Sequence, residues 1–195
     1  VVGVTGHRDL RSEDVPTLEN LVRTIFAEVS QKYPHTPLLL LSPLAEGADR
    51  LVARVAREAG AGLFVPLPLP RSLYEADFQS GDSRSDFRSL LVSADGTCEL
   101  PLLSGNTVDA ISQVGEKRNH QYAQAGAFIA RHSQVFVALW NGVRADGEAS
   151  VGGTAEVVRF RLEGVPVGHG SVSSPLNVAS SGSVYHIVTP RVGES

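Results

Sequence analysis

"PLLLLSPLAEGADRLVARVAREAGAGLFVPLPLP", residues 37–70, sets two apolar runs on either side of one amphipathic segment. PLLLLS and GLFVPLPLP are short, apolar and without polar alternation, as strands covered on both faces should be, and prolines end the second. Between them Leu51, Val52, Val55, Ala56 and Ala59 recur at helical spacing up to Gly60, a C-terminal stop. Strand, helix and strand in immediate succession predict parallel pairing through a right-handed crossover.

The alternation continues on both sides. VVGVT (1–5) reads as a buried strand halted at Gly6. After it Leu18, Leu21, Val22, Ile25, Phe26 and Val29 form a helical stripe, with Ser12 as the expected N-cap and Glu13 and Asp14 in the first turn. Further on, RSDFRSLLVSA reads as helix and CELPLL as a short strand, whereas SGNTVDAISQVG carries no dependable signal. A helix is expected over residues 116–132, with Tyr122, Ala125 and Ile129 on one side, followed by the strand QVFVALW. EASVGGTAEVVRF (148–160) opens another helix, and VYHIVTP is a last strand. The Gly/Ser-rich passage GHGSVSSPLNVASSGS is long for an ordered loop and reads as a mobile lid or a poorly ordered excursion. The fold expected is α/β: a Rossmann-like open, mainly parallel sheet with helices on both faces and its ligand site beyond the carboxyl ends of the strands.

With 195 residues and 42% apolar composition, one domain over 1–195 suffices. A net charge of −4 without a Lys/Arg run lacks the footprint that captures nucleic acid, so no nucleic-acid partner is expected. One cysteine, Cys98, forms no internal disulfide and no zinc site, which fits a reducing compartment, the cytoplasm. There is no apolar run of membrane length and no signal-peptide pattern, so no membrane contact is expected of this segment. The chain has no methionine and opens inside a strand, which suggests a domain cut from a longer protein.

In such a sheet the site candidates are the residues placed just after a strand. Gly152 and Gly153 leave the start of a helix bare and Thr154 adds a hydroxyl; this is either a phosphate cradle on the helix dipole or a flexible turn with a Thr N-cap. TGHRD supplies Gly6, His7 and Arg8, an imidazole and a guanidinium suited to phosphate or ribose, or else a turn with Arg8 and Asp9 as a solvated pair. In AEGADR, Glu46 and Asp49 flank Gly47 beside Arg50: helix-start carboxylates, or acceptors for ribose hydroxyls. Asn141 and Gly142 come directly after Trp140, a residue of the core or a stacking surface for a base. Tyr74 and Asp77 either close over a ligand or sit on a surface helix, and His186 is expected to be a satisfied sheet histidine. Neither G-x-G-x-x-G nor G-x-x-x-x-G-K-[ST] is present, which argues against an ordinary nicotinamide dehydrogenase and a P-loop NTPase. No metal cluster, Ser-His-Asp arrangement or cofactor is called for.

The set GVTGHRD, LSPLAEGADRLVA, VPLPLP, VFVALWNG and GGTAEVV resembles the SLOG superfamily, which includes the LOG phosphoribohydrolases and the DprA proteins. The resemblance implies a Rossmann-like sheet and a nucleotide-type ligand whose phosphate lies on the glycine loop. It also implies a homo-oligomer, with the 116–132 helix as a candidate dimer surface. The phosphoribohydrolase pattern P-G-G-x-G-T-x-x-E is not kept: SVGGTAEVV lacks the proline and the third glycine, and Val157 replaces the glutamate. Glu156 is one residue away, which on a helix turns the carboxylate by about 100°. The expectation is binding, or sensing, of a nucleotide or NAD-derived nucleotide. The alternative is hydrolysis of the N-glycosidic bond of a nucleoside 5′-monophosphate, with Glu46 or Glu156 as the catalytic carboxylate. A structural interaction domain is the third reading.

Overall fold

Six strands, β1 (Val2–Gly6), β2 (Leu39–Leu41), β3 (Gly62–Leu67), β4 (Gly96–Glu99), β5 (Val135–Trp140) and β6 (Val184–Val188), form one parallel sheet. Their order is β4-β3-β2-β1-β5-β6. The computed structural model of the protein describes residues 1–143, 151–166, 168 and 183–194. Most of the Gly/Ser-rich passage and part of the loop after β5 lie outside the described residues.

The chain builds outward from β1 to β4 and then returns to place β5 on the other side of β1. Right-handed crossovers running in opposite directions put their helices on opposite faces. Helices α1 (Val15–Lys32) and α2 (Ala48–Glu58) bury Val22, Phe26, Leu51 and Val55 against Val2, Val4, Leu40, Leu63, Val137 and Leu139. Helices α6 (Glu116–His132) and α7 (Thr154–Glu163) bury Ala123, Ala127, Ile129, Val157 and Phe160 against Leu41 and Phe136. Successive strand residues therefore serve opposite layers, the period of two that a covered sheet requires. Three further helices, α3 (Arg71–Glu75), α4 (Gly81–Val92) and α5 (Val108–Ser112), flank β4 in sequence. Phe87 and Leu91 of α4 and Ile111 of α5 join the α1/α2 layer of the core.

The α6/α7 layer sits very close to the sheet and to itself. A Cβ on Gly3 would collide with the Ser133 hydroxyl and lie 2.9 Å from Ile129, and one on Gly126 would collide with Val157. The small apolar positions of α6 are consumed inside the molecule, with Ala123, Ala127 and Ala130 fully buried. Tyr122 and Phe128 of the same helix are half-buried.

Several local expectations need correction. Ser12 is not the cap of α1: Asp14 occupies that position without a side-chain cap bond, because Pro16 starts the helix later and the Ser12 hydroxyl turns to Glu13. Only Cys98 and Glu99 of CELPLL belong to β4, which starts at Gly96, in register with Phe64. The unsignalled stretch contains α5, capped by Thr107, whose hydroxyl accepts the Ala110 N–H at 3.2 Å. Gly153, not Thr154, is the N-cap of α7. Among the described residues no helix is long and apolar enough to cross a membrane.

Candidate functional site

The strand order reverses between β1 and β5, so the loops leaving their carboxyl ends diverge and a crevice opens there. A cavity of about 470 Å³ occupies it. Gly6, His7 and Arg8 enter from β1, Ala45 and Asp49 from the turn into α2, Trp140 and Asn141 from β5, and Gly152, Gly153 and Thr154 from the start of α7. Gly6 and Gly153, far apart in sequence, thus share one cavity.

The base of the cavity is set by close backbone packing. A Cβ on Gly6 would collide with that of Ala48 and lie 2.6 Å from the Leu139 carbonyl oxygen. Gly47 has φ +73°, and a Cβ there would run into the carbonyl oxygens of His7 and Arg8. The Ala48 N–H then donates to the His7 carbonyl at 3.0 Å, tying the start of α2 to the end of β1. Leu44 takes a left-handed φ of 59° while fully buried. Its N–H donates to the Ser42 hydroxyl at 3.2 Å and its carbonyl accepts from Arg50 Nε at 3.0 Å, which holds that unfavourable backbone in place.

His7 Nε2 accepts the Asn141 N–H at 3.0 Å, which makes the ring neutral with its proton on Nδ1. Burial holds its pKa below the ordinary histidine value, consistent with that tautomer. Arg8 lies at the solvent-exposed rim with its guanidinium 5.5 Å from the centre of the Tyr122 ring. No carboxylate among the described residues lies within ion-pair distance of it. Tyr122 in turn donates its hydroxyl to Asp77, and Asp77 pairs with the buried Arg118 at 2.6 Å. Asp77 therefore supports the cavity wall through Tyr122.

Asp49 is 6% exposed, and its Oδ2 accepts the Ala45 N–H at 3.2 Å. Burial raises its pKa from 3.8 to about 7, against the opposing pull of that N–H and of Arg8 and Arg50. A carboxyl of this kind can hold or release a proton near neutrality.

The remaining expected residues fall elsewhere. Glu46 does not line the cavity; it accepts a hydrogen bond from the Ser83 hydroxyl at the start of α4. Arg50 is buried away from the cavity, bonded to Leu44, Ser83 and Asp86 and lying 4.5 Å over the Phe78 ring. These two residues brace the turn rather than the ligand space. Gly142 packs toward His186, whose Nε2 lies 3.0 Å from the Trp140 carbonyl oxygen, so His186 is satisfied within the sheet. Trp140 is 8% exposed, lines the cavity and packs on the His186 ring.

Glu156 points back along its helix, and its Oε2 accepts the Gly152 N–H at 2.6 Å. The carboxylate thus caps α7 and occupies the Gly152 amide; Gly152, Gly153 and Thr154 all line the cavity. Glu156→Ala is expected to cost about 1 kcal/mol, the usual value of a helix cap. At this chain length that is a fall of roughly 2–4 °C in Tm, which calorimetry would register; an unchanged Tm would contradict the capping assignment.

Of the other lining groups, Tyr74 is a sequence candidate for closing over a ligand, whereas Tyr122, Arg191 and Glu194 are not singled out for the site. Tyr74 is buried in an aromatic cluster, at 5.1 Å from Phe78 and 5.7 Å from Phe87 between ring centres, yet reaches the cavity. Tyr122 is visible in the α6 stripe but reads there as ordinary core. Arg191 and Glu194 arrive from the end of the described chain: Arg191 pairs with Asp9 at 2.9 Å, and Glu194 accepts from the Asn141 side chain at 2.9 Å. Asp9 is thus engaged with Arg191 rather than with Arg8. Among the described residues no group of three or more His, Cys, Asp or Glu is arranged to hold a metal ion.

No protein-family model matches the chain, and no curated protein matches it. Among solved structures, the X-ray structure of DNA processing protein A (DprA) from Streptococcus pneumoniae is similar, with a TM-score of 0.52 and 14% identity. The match covers 96% of this chain and 58% of that one, so the chain spans well under two thirds of that protein's length. At this identity the likeness is one of fold: a Rossmann-like α/β sheet.

Proposed function

We propose that this chain binds a nucleotide or NAD-derived nucleotide in the cavity between β1 and β5. The observation that carries the reading is the convergence of Arg8, without a carboxylate partner among the described residues, and the glycine-fronted start of α7 on one cavity. A helix start offers unpaired N–H groups and about half a positive charge, and a guanidinium adds paired donors; both favour a phosphate. The motif resemblance to the SLOG superfamily points the same way, and a cavity of about 470 Å³ is of the size that small-molecule ligands fill.

Hydrolysis of the N-glycosidic bond is the second reading, and Asp49 is the observation in its favour. With Glu46 and Glu156 engaged elsewhere, Asp49 is the carboxyl facing the cavity whose proton is exchangeable near pH 7. Incubation with AMP, followed by chromatography for free adenine, separates the two: base release abolished by Asp49→Asn supports hydrolysis, and saturable binding without release supports sensing.

Titration calorimetry with AMP tests the reading itself. Arg8→Ala is expected to weaken binding roughly tenfold to thirtyfold, as loss of a charge-assisted contact at a solvated rim does. Arg8→Lys falls between, because an ammonium neither forks nor stacks on Tyr122 as a guanidinium does. If AMP, ADP-ribose and NAD all fail to bind at millimolar concentration, the nucleotide reading is wrong and an interaction domain takes its place.

A further inference from the structure

Two buried polar side chains in the cavity have bonding capacity that the fold does not use. The Tyr74 residue is 1% exposed and edge-packed on both Phe78 and Phe87, so its ring cannot swing away, and among the described residues its hydroxyl makes no hydrogen bond. Asp49 uses Oδ2 for the Ala45 N–H, while Oδ1 has no partner among the described residues. Neither oxygen is sealed inside the protein: both open on the cavity, where water or a ligand group completes them.

The group that completes both must serve a carboxyl that is ionised or protonated near neutrality, by donating to the one and accepting from the other, and must also accept from a phenol. A phosphate only accepts when fully ionised and would meet Asp49 unfavourably; a hydroxyl does both. Two adjacent hydroxyls on one ring can meet two protein groups that open on one cavity. Arg8 lies next to both residues electrostatically, and the start of α7 borders the same space.

Resting on the nucleotide reading, we propose that Asp49 and Tyr74 clamp a free ribose 2′,3′-diol, with the 5′-phosphate directed to Arg8 and the start of α7. The site then selects ribonucleotides with an unsubstituted terminal ribose and rejects deoxyribonucleotides and internal residues of a nucleic-acid strand.

The experiment compares AMP, 2′,3′-dideoxy-AMP and ribose 5-phosphate by titration calorimetry on the wild-type chain, on Tyr74→Phe and on the isosteric double variant Asp49→Asn/Tyr74→Phe. Circular dichroism melting confirms that each variant folds. The wild type is expected to prefer AMP over the dideoxy compound by about 100-fold, since removing both hydroxyls leaves two buried groups unpaired. In the double variant that preference should shrink to about fivefold or less, chiefly through weaker AMP binding. Binding of AMP and dideoxy-AMP within threefold of each other in the wild type overturns the diol clamp while leaving the nucleotide reading standing. A preference that survives in the double variant overturns the assignment to Asp49 and Tyr74. If none of the three compounds binds, the nucleotide reading falls and takes the clamp with it.

Discussion

Gly6→Val lowers the stability of the protein by about 3–5 kcal/mol, the range expected when a side chain is forced into a closed contact it cannot vacate. A Cβ at this position collides with the Cβ of Ala48 and sits 2.6 Å from the carbonyl oxygen of Leu139. Neither neighbour is a flexible side-chain tip: one is the first residue of α2 and the other belongs to the backbone of β5. Relief therefore requires separating β1 from β5, or α2 from both, at the centre of the sheet. For a chain of this length the corresponding fall in Tm is on the order of 10 °C or more. Gly81→Ala is the matched control, because a Cβ there meets nothing within 4 Å and the residue opens an α-helix. It should change stability by no more than about 0.5 kcal/mol. Equal effects of the two substitutions would show that the close approach at Gly6 has been misread.

The second large effect concerns pH. The Asp49 carboxyl titrates at about 7 in the fold against 3.8 for the free group, because burial penalises its charged form. The folded chain thus holds this proton more tightly than the unfolded one. The stability that Asp49 contributes is full below the unfolded value, is lost progressively as pH rises through the folded one, and is constant above it. Asp49→Asn keeps the volume and an acceptor for the Ala45 N–H but cannot ionise. Relative to wild type, the variant should gain on the order of 3 kcal/mol between pH 4 and pH 8. Measuring the Tm of both proteins across this range checks it, since groups unaffected by the substitution cancel in the difference. A difference that stays constant with pH would mean that Asp49 is hydrated and ionised throughout.

His7 works in the opposite direction and on a smaller scale. Its depressed pKa means that the neutral ring is the one built into the fold, where Nε2 accepts from Asn141. That contribution is present above the unfolded histidine value and is lost as pH falls below it. The β1 and β5 loops, which frame the cavity, are joined through this bond.

The cavity wall has a depth that single residues do not show. Arg8 rests on Tyr122, Tyr122 donates to Asp77, and Asp77 pairs with Arg118, whose guanidinium also reaches the carbonyl oxygens of Ile111 and Leu73. α3, α5 and α6 are thereby connected to the rim where a phosphate would lie.

The alternation of PLLLLS, the Leu51–Ala59 stripe and GLFVPLPLP was enough to specify a parallel α/β sheet covered on both faces, because burial on one or two sides imposes its own period on local sequence. The strand-end rule then located Gly6, His7, Arg8, Asp49, Asn141, Gly152, Gly153 and Thr154, all of which line the cavity. Local pattern could not separate Asp49 from Glu46, since both are acids at the start of α2. Only the packing of α4 against that turn, with Ser83 taking one carboxylate, leaves the other facing the cavity. Tyr74 was legible as a residue that closes over a ligand or sits on a surface helix; the fold puts it in the core with the cavity at its edge, which neither alternative describes. Distant packing likewise decided the approach of Arg191 to Asp9, and local pattern did not show the capping bond from the Gly152 N–H to Glu156. Which face a residue covers is written in its neighbours along the chain; which polar atom is left without a partner depends on elements far away in sequence, and is decided only when they pack.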